Sequence, residues 1–216
     1  MKITLNGNSD LEITLNDVLT SLKENITLED FYCLKDYQER KYSLTDGIDA
    51  FSVEDICKRI LQYNSDDKEL APDERKPVIL YLDTLGGDVT EGLRLIDVIR
   101  ASVTPVYVVN LGTCYSMGFW IYIAGHKRIA SKNATFLIHD GSTSVCDSAS
   151  KTRDYIAFFE RVDDRLKEMA ISLTKIPSDV YDQNMRKEWY MFSDEAKELG
   201  VVDAIIGVDC GINEIV

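Results

Sequence analysis

Histidine, paired cysteines and positive charge are all scarce in this 216-residue chain, and each shortage excludes something. Two histidines, His126 and His139, are too few for a His-rich metal centre and leave two candidates for imidazole catalysis. Five cysteines, Cys33, Cys57, Cys114, Cys146 and Cys210, form an odd set with no C-x-x-C pair. Neither a disulfide framework nor a zinc knuckle fits that pattern, and the expectation is reduced thiols in a cytoplasm. Lys plus Arg total 24 against 37 for Asp plus Glu, a formal charge of -13. Such a chain repels phosphate backbones and anionic lipid, so free nucleic acid and membrane surfaces are poor partners. The opening residues hold no apolar run of signal-peptide length, and the chain is expected to stay where it is made.

One stretch needs a closer reading for membrane character. Between Arg100 and His126 lie 25 residues without a charge, whereas about 20 suffice to cross a bilayer. Val106-Tyr107-Val108-Val109 is β-branched and aromatic, Asn110 and Gly112 interrupt it, and a second apolar run starts after Ser116. A buried strand, a turn and a buried helix explain this better than one membrane helix, and neither flank carries a cluster of positive charge.

What is present suits a soluble core: 45% of the residues are hydrophobic, in a chain near the upper end of one domain of about 100–200 residues. Residues 1–40 are strongly polar and read as an N-terminal extension without an assigned role; residues 41–216 form the main domain. A short strand at Tyr42–Leu44 precedes a helix opened by Ser52, with Asp55 at capping-box spacing. Residues 64–77 are charged, hold two of the four prolines and read as a surface loop. Val78–Leu82 is a nearly continuous apolar run, as a strand covered on both faces requires. The helix behind it takes Asp88 as N-cap and Glu91 at N3. Next come a strand at Val106–Val109, a helix from Ser116 and extended segments at Arg128–Ala130 and Thr135–Ile138. Ala149 to Leu173 is the longest predicted helix, long enough to project into an interface. Short helices open at Pro177-Ser178-Asp179 and at Ser193, Gly200 ends the second, and a last strand is predicted over Val201–Ile206. Strands alternating with helices predict an α/β domain.

Three places on this scaffold can carry chemistry. Gly86-Gly87 lies between a buried strand and a helix N-terminus, where free backbone N–H groups suit a developing negative charge. A tight strand-to-helix turn would use the same residues. Ser116 stands at the next such junction, and the N–H of Met117 points where an oxyanion would form. A simple N-cap serine has the same signature, and Cys114 stands where the first glycine of G-x-S-x-G would be, which disfavours an α/β-hydrolase elbow. His139 ends the run Thr135–Ile138 and is the natural general base for a serine, although a histidine bonding its own turn fits the position too. His126, in a Gly-His-Lys-Arg turn, reads as solvated. An orienting carboxylate has to come from downstream, and Asp179, Asp182, Glu188 and Asp203 are the candidates.

The motifs Leu80–Val89, Cys114–Gly118, Phe136–His139 and Ser193–Asp203 occur in the order of the ClpP serine peptidases, and the resemblance covers about residues 42–206. It implies a ClpP/crotonase-like spiral of ββα units with a projecting handle helix after His139. Ser116 would be the nucleophile and His139 the base, with the oxyanion hole formed by the Gly87 and Met117 N–H groups. The family's catalytic aspartate falls on Glu188. The resemblance further implies a homo-oligomer of stacked heptameric rings that hydrolyses unfolded polypeptide in a chamber. An ATP-dependent unfoldase would be a partner, with no metal or organic cofactor. The chain departs from the family at Thr84-Leu85, which replaces Ser-Pro, and at residues 142–147, which replace a glycine-rich substrate-holding strand. Residues 1–40 do not resemble the family's axial loop. Two other readings share the fold: an inactive structural subunit of a mixed ring, and a crotonase-type acyl-CoA enzyme, whose chemistry asks for acidic residues rather than Ser and His in this order.

Overall fold

Strands covered on both faces need continuous apolar runs, and two such runs form the middle of a seven-stranded sheet. The computed structural model describes residues 27–142 and 144–215. The first elements are helix α1 (Leu28–Glu39), strand β1 (Lys41–Leu44), α2 (Ala50–Asp66), β2 (Val78–Thr84), α3 (Val89–Ala101) and β3 (Val106–Tyr115). There follow α4 (Met117–Ile123), β4 (Lys127–Ala130), β5 (Thr135–Ile138), α5 (Ala149–Leu173) and α6 (Ser178–Asn184). The last are β6 (Trp189–Phe192), α7 (Ser193–Glu198) and β7 (Ala204–Ile205). The chain divides into a unit Met1–Glu39, which contains α1, and a unit Arg40–Val216, which contains every other element described. Most of the N-terminal extension lies outside the described residues.

The sheet runs β1-β2-β3-β4-β7 with every neighbour parallel, so the fold is α/β, as predicted. β5 leaves this path: it pairs parallel with the far end of β3 and antiparallel with β6. On its edge away from β2, β3 therefore serves two partners, β4 along Tyr107–Asn110 and β5 along Thr113–Tyr115. Asn110 and Gly112, expected to end the strand, mark this change of partner instead. The fully buried Asn110 amide donates to the Thr135 carbonyl at 3.0 Å and accepts from the Gly112 N–H at 3.0 Å, supplying bonds the ladder lacks there. The uncharged run thus becomes the end of α3, a strand and a short helix. No helix among the described residues is long and apolar enough to cross a membrane.

All seven residues of α4 are buried, and the Tyr122 ring meets Phe136 of β5 at a centroid distance of 4.9 Å. Each such side chain contributes about 1.5–3 kcal/mol of burial, which fixes α4, and the turn before it, against the sheet. α5 has the bounds the sequence predicts, but only Val162, Leu166 and Ala170 are buried; Tyr155, Ile156 and Phe158, near its start, are exposed. Two other elements differ from expectation. The α2 cap is Asp49, whose carboxylate accepts from the Phe51 and Ser52 N–H groups, while the Ser52 hydroxyl accepts from the Asp49 N–H. The last strand shrinks to Ala204–Ile205 because Val201 and Val202 instead donate their N–H groups to Ala196, closing the end of α7.

The first turn of the second unit is locked by Arg40 and Asp67. The guanidinium grips the carboxylate in two bonds of 2.6 and 2.8 Å, and the Thr104 hydroxyl adds a third at 2.8 Å. Asp67 is 1% exposed. Arg40 holds its carboxyl below the usual range, and Asp67 raises the arginine in turn.

Candidate active site

β2 ends at Thr84, whose hydroxyl donates to the Asp46 carbonyl at 2.6 Å and accepts from the Gly86 N–H at 3.1 Å. This clamp turns the chain sharply into Gly86 and Gly87, which adopt φ of 101° and 155°. A Cβ on Gly86 would stand 2.7 Å from Cβ of Ser116, and one on Gly87 2.3 Å from the Ile48 carbonyl oxygen. Only glycine admits both contacts, and the first seats the glycine pair against the serine turn. The Gly87 N–H is left without a hydrogen-bond partner among the described residues.

Ser116 bridges β3 and α4 at φ 53° and ψ -126°, a conformation that a residue bearing a Cβ enters only under strain. Two hydrogen bonds fix it: its N–H donates to Leu137 of β5 at 3.0 Å, and its carbonyl accepts from Phe119 at 2.9 Å. It occupies the N-cap position of α4, yet its hydroxyl caps nothing. The ordinary N-cap explanation therefore fails. The hydroxyl and the Met117 N–H both lack a hydrogen-bond partner among the described residues. A free hydroxyl, a free N–H and a helix N-terminus converge at one strained turn.

The β5–β6 ladder builds the other half. Ile138 lies opposite Trp189, so the residues one step beyond, His139 and Glu188, face each other across the strand pair. The Nδ1–H of His139 donates to Oε1 of Glu188 at 3.0 Å, which leaves Nε2 free. The other carboxylate oxygen, Oε2, accepts from the Tyr190 hydroxyl at 3.4 Å, and the Tyr190 ring stands edge-on to Tyr115 at 5.6 Å. Since β5 pairs with the end of β3, the same ladder brings His139 to the side of Ser116. The Ser116 hydroxyl does not hydrogen-bond His139.

The remaining candidates are occupied elsewhere. Asp182 pairs with Lys167 at 2.6 Å and Asp203 with Arg128 at 2.6 Å, while Asp179 sits in the first turn of α6. His126 accepts the Val106 N–H on Nδ1 at 3.1 Å, and its pKa is pushed down by the protein around it and by Arg100. It is exposed as expected, but it serves the backbone. Strand β6 and its Tyr190 are hard to see in the sequence, because Trp189-Tyr190-Met191-Phe192 lacks the polar alternation that marks a half-buried strand.

The sequence model of the family described as Clp protease matches residues 29–209. The chain belongs to the Clp protease family. Among curated proteins it is 29% identical over 133 residues to the ATP-dependent Clp protease proteolytic subunit 2 of Treponema pallidum, covering 61% of this chain and 67% of that one. It is 30% identical over 138 residues to the ATP-dependent Clp protease proteolytic subunit of Pinus thunbergii, covering 62% and 70%. At this identity it is a divergent Clp protease homologue.

Proposed function

We propose that this chain is a serine endopeptidase of the ClpP type, and the observation that carries the reading is the strained Ser116 with an uncommitted hydroxyl beside the His139–Glu188 pair. In this reaction Nε2 of His139 takes the proton of the Ser116 hydroxyl as Oγ attacks a peptide carbonyl. Glu188, holding Nδ1–H, fixes the tautomer that leaves Nε2 basic and stabilises the imidazolium that forms. The oxyanion of the tetrahedral intermediate is received by the N–H groups of Gly87 and Met117, reinforced by the N-terminus of α4. Collapse breaks the C–N bond, and His139 passes its proton to the leaving amine. Water, activated by the same imidazole, then releases the acyl group from Ser116.

The substrates in this reading are unfolded polypeptides, cut inside a chamber of stacked heptameric rings fed by an ATP-dependent unfoldase in the cytoplasm. The exposed Tyr155, Ile156 and Phe158 of α5 support assembly along that helix, since apolar side chains clustered on a projecting helix gain by burial against another copy. The names of the two relatives, ATP-dependent Clp protease proteolytic subunits, support proteolysis coupled to ATP.

One observation favours a second reading, a ring subunit that assembles without cutting: Ser116 and His139 are not hydrogen-bonded to each other. Turnover of an unstructured fluorogenic peptide by the wild type and by Ser116→Ala, with native mass spectrometry on both, decides between them. The peptidase reading expects identical assemblies and turnover lost in the variant. Equal turnover by the two, or none by a fully assembled wild type, contradicts it.

A further inference from the structure

A cleft of about 450 Å³ opens between α5, α6 and the segment after β5. One wall is Asp140, the residue after His139, and another ends at Arg186, two residues before Glu188. Along the chain, the lining therefore lies one residue from His139 and two from Glu188.

Its charge is unbalanced. Asp140, Asp163, Asp164 and Asp182 line it together with Lys167 and Arg186, and Lys167 is held by Asp182 at 2.6 Å. Asp140 and Asp163 make no ion pair among the described residues. Asp163 is open to solvent on one side; the protein packed on its other side raises its pKa, and the negative charges of Asp140, Asp164 and Glu160 raise it further.

Tyr181 supplies an independent observation. It is 2% exposed, and its hydroxyl is buried without a hydrogen bond among the described residues. Tyr181 lines the cleft together with Asp140, Asp163 and Asp182, and burial first and then the charges of those three carboxylates raise the pKa of its hydroxyl. A buried phenol oxygen without a partner costs about 1–3 kcal/mol, and an incoming N–H would relieve it. The acceptors here are separate carboxylates and a phenol oxygen, which suits an organic cation that spreads several N–H donors among them.

We propose that this cleft is a subsite for a cationic side chain, the lysine or arginine of a bound polypeptide, held by Asp163 and Asp140 with the Tyr181 hydroxyl accepting one N–H. That the ligand is a polypeptide rests on the peptidase reading above; that it is cationic rests on the cleft. The site then makes the chain selective for polypeptides with a basic residue close to the bond aligned with Ser116.

Binding to Ser116→Ala, which needs no catalysis, tests this directly. Two fluorescein-labelled unstructured peptides differing only in one lysine or norleucine are titrated by fluorescence anisotropy. The lysine peptide should bind about fivefold more tightly, the upper range for an ion pair open to solvent. Adding Asp163→Asn should bring the ratio close to one, while Asp154→Asn, on the exposed face of α5 away from the cleft, should keep it. Equal affinities, no binding of the lysine peptide, or a ratio that survives Asp163→Asn would overturn the subsite. Wild-type cleavage of both peptides at equal rates would also overturn it and leave the peptidase reading intact. A lysine preference without any cleavage would support the subsite and count against the peptidase.

Discussion

Replacing Glu188 by Gln removes one charge and little volume from the pair at 3.0 Å that orients His139. In the proposed mechanism the carboxylate stabilises the imidazolium formed in the transition state, and its worth follows from Coulomb's law. At 3.0 Å, unit charges attract by about 1.4 kcal/mol at the dielectric of water and about 5.5 kcal/mol at an effective dielectric of 20. The Glu188 side chain is 57% exposed and that of His139 25%, so the effect belongs near the watery end. The expected loss in kcat is thus about ten- to a hundredfold, smaller than in a serine triad with a buried carboxylate. Steady-state cleavage of an unstructured peptide by Glu188→Gln, Asp182→Asn and Asp203→Asn provides the assay. Asp182 and Asp203 are engaged with Lys167 and Arg128, so their variants should keep kcat. Full activity in Glu188→Gln, or a greater loss in Asp182→Asn, would refute the assignment.

Ser116→Gly removes the Cβ that makes φ 53° costly, so it should stabilise the fold by about 1 kcal/mol in urea melts while Ser116→Ala does not; equal stability of the two would show the turn to be unstrained. Gly86→Ala forces a Cβ to 2.7 Å from Ser116 and should lower peptide turnover at least about tenfold while the assembled state persists, as measured by native mass spectrometry. Asp67 links stability to pH. Its folded pKa is depressed, so its contribution is complete above the unfolded value of about 3.9 and is lost as pH falls through the lower folded value. Asp67→Asn should cost about 3 kcal/mol at pH 7 in urea melts and flatten the acid limb of stability; an unchanged limb would contradict the pairing with Arg40.

The parts of this molecule that are legible in its sequence are those whose signals are local. Ala149–Leu173 reads as one helix because its apolar positions recur at helical steps, and Asp88 with Glu91 announces the start of α3. The Asp49 cap is less visible because Ser52, its reciprocal partner, imitates a cap of its own. The site resists reading wherever it depends on pairing between distant strands. Asn110 looks like a breaker until its side chain is seen to replace missing ladder bonds, and β6 lacks any alternation. The facing of His139 and Glu188 arises from that one antiparallel register, across 49 residues of sequence. The strain at Ser116 is likewise invisible in sequence, since an N-cap serine and a strained one are spelled alike.

The most direct test of the central claim, an activated serine at position 116, is the intact mass of the wild type and of Ser116→Ala after treatment with a fluorophosphonate. The account predicts a single covalent adduct on the wild type and none on the variant. An unmodified wild type in a folded, assembled state, or an adduct that survives in Ser116→Ala, would contradict it.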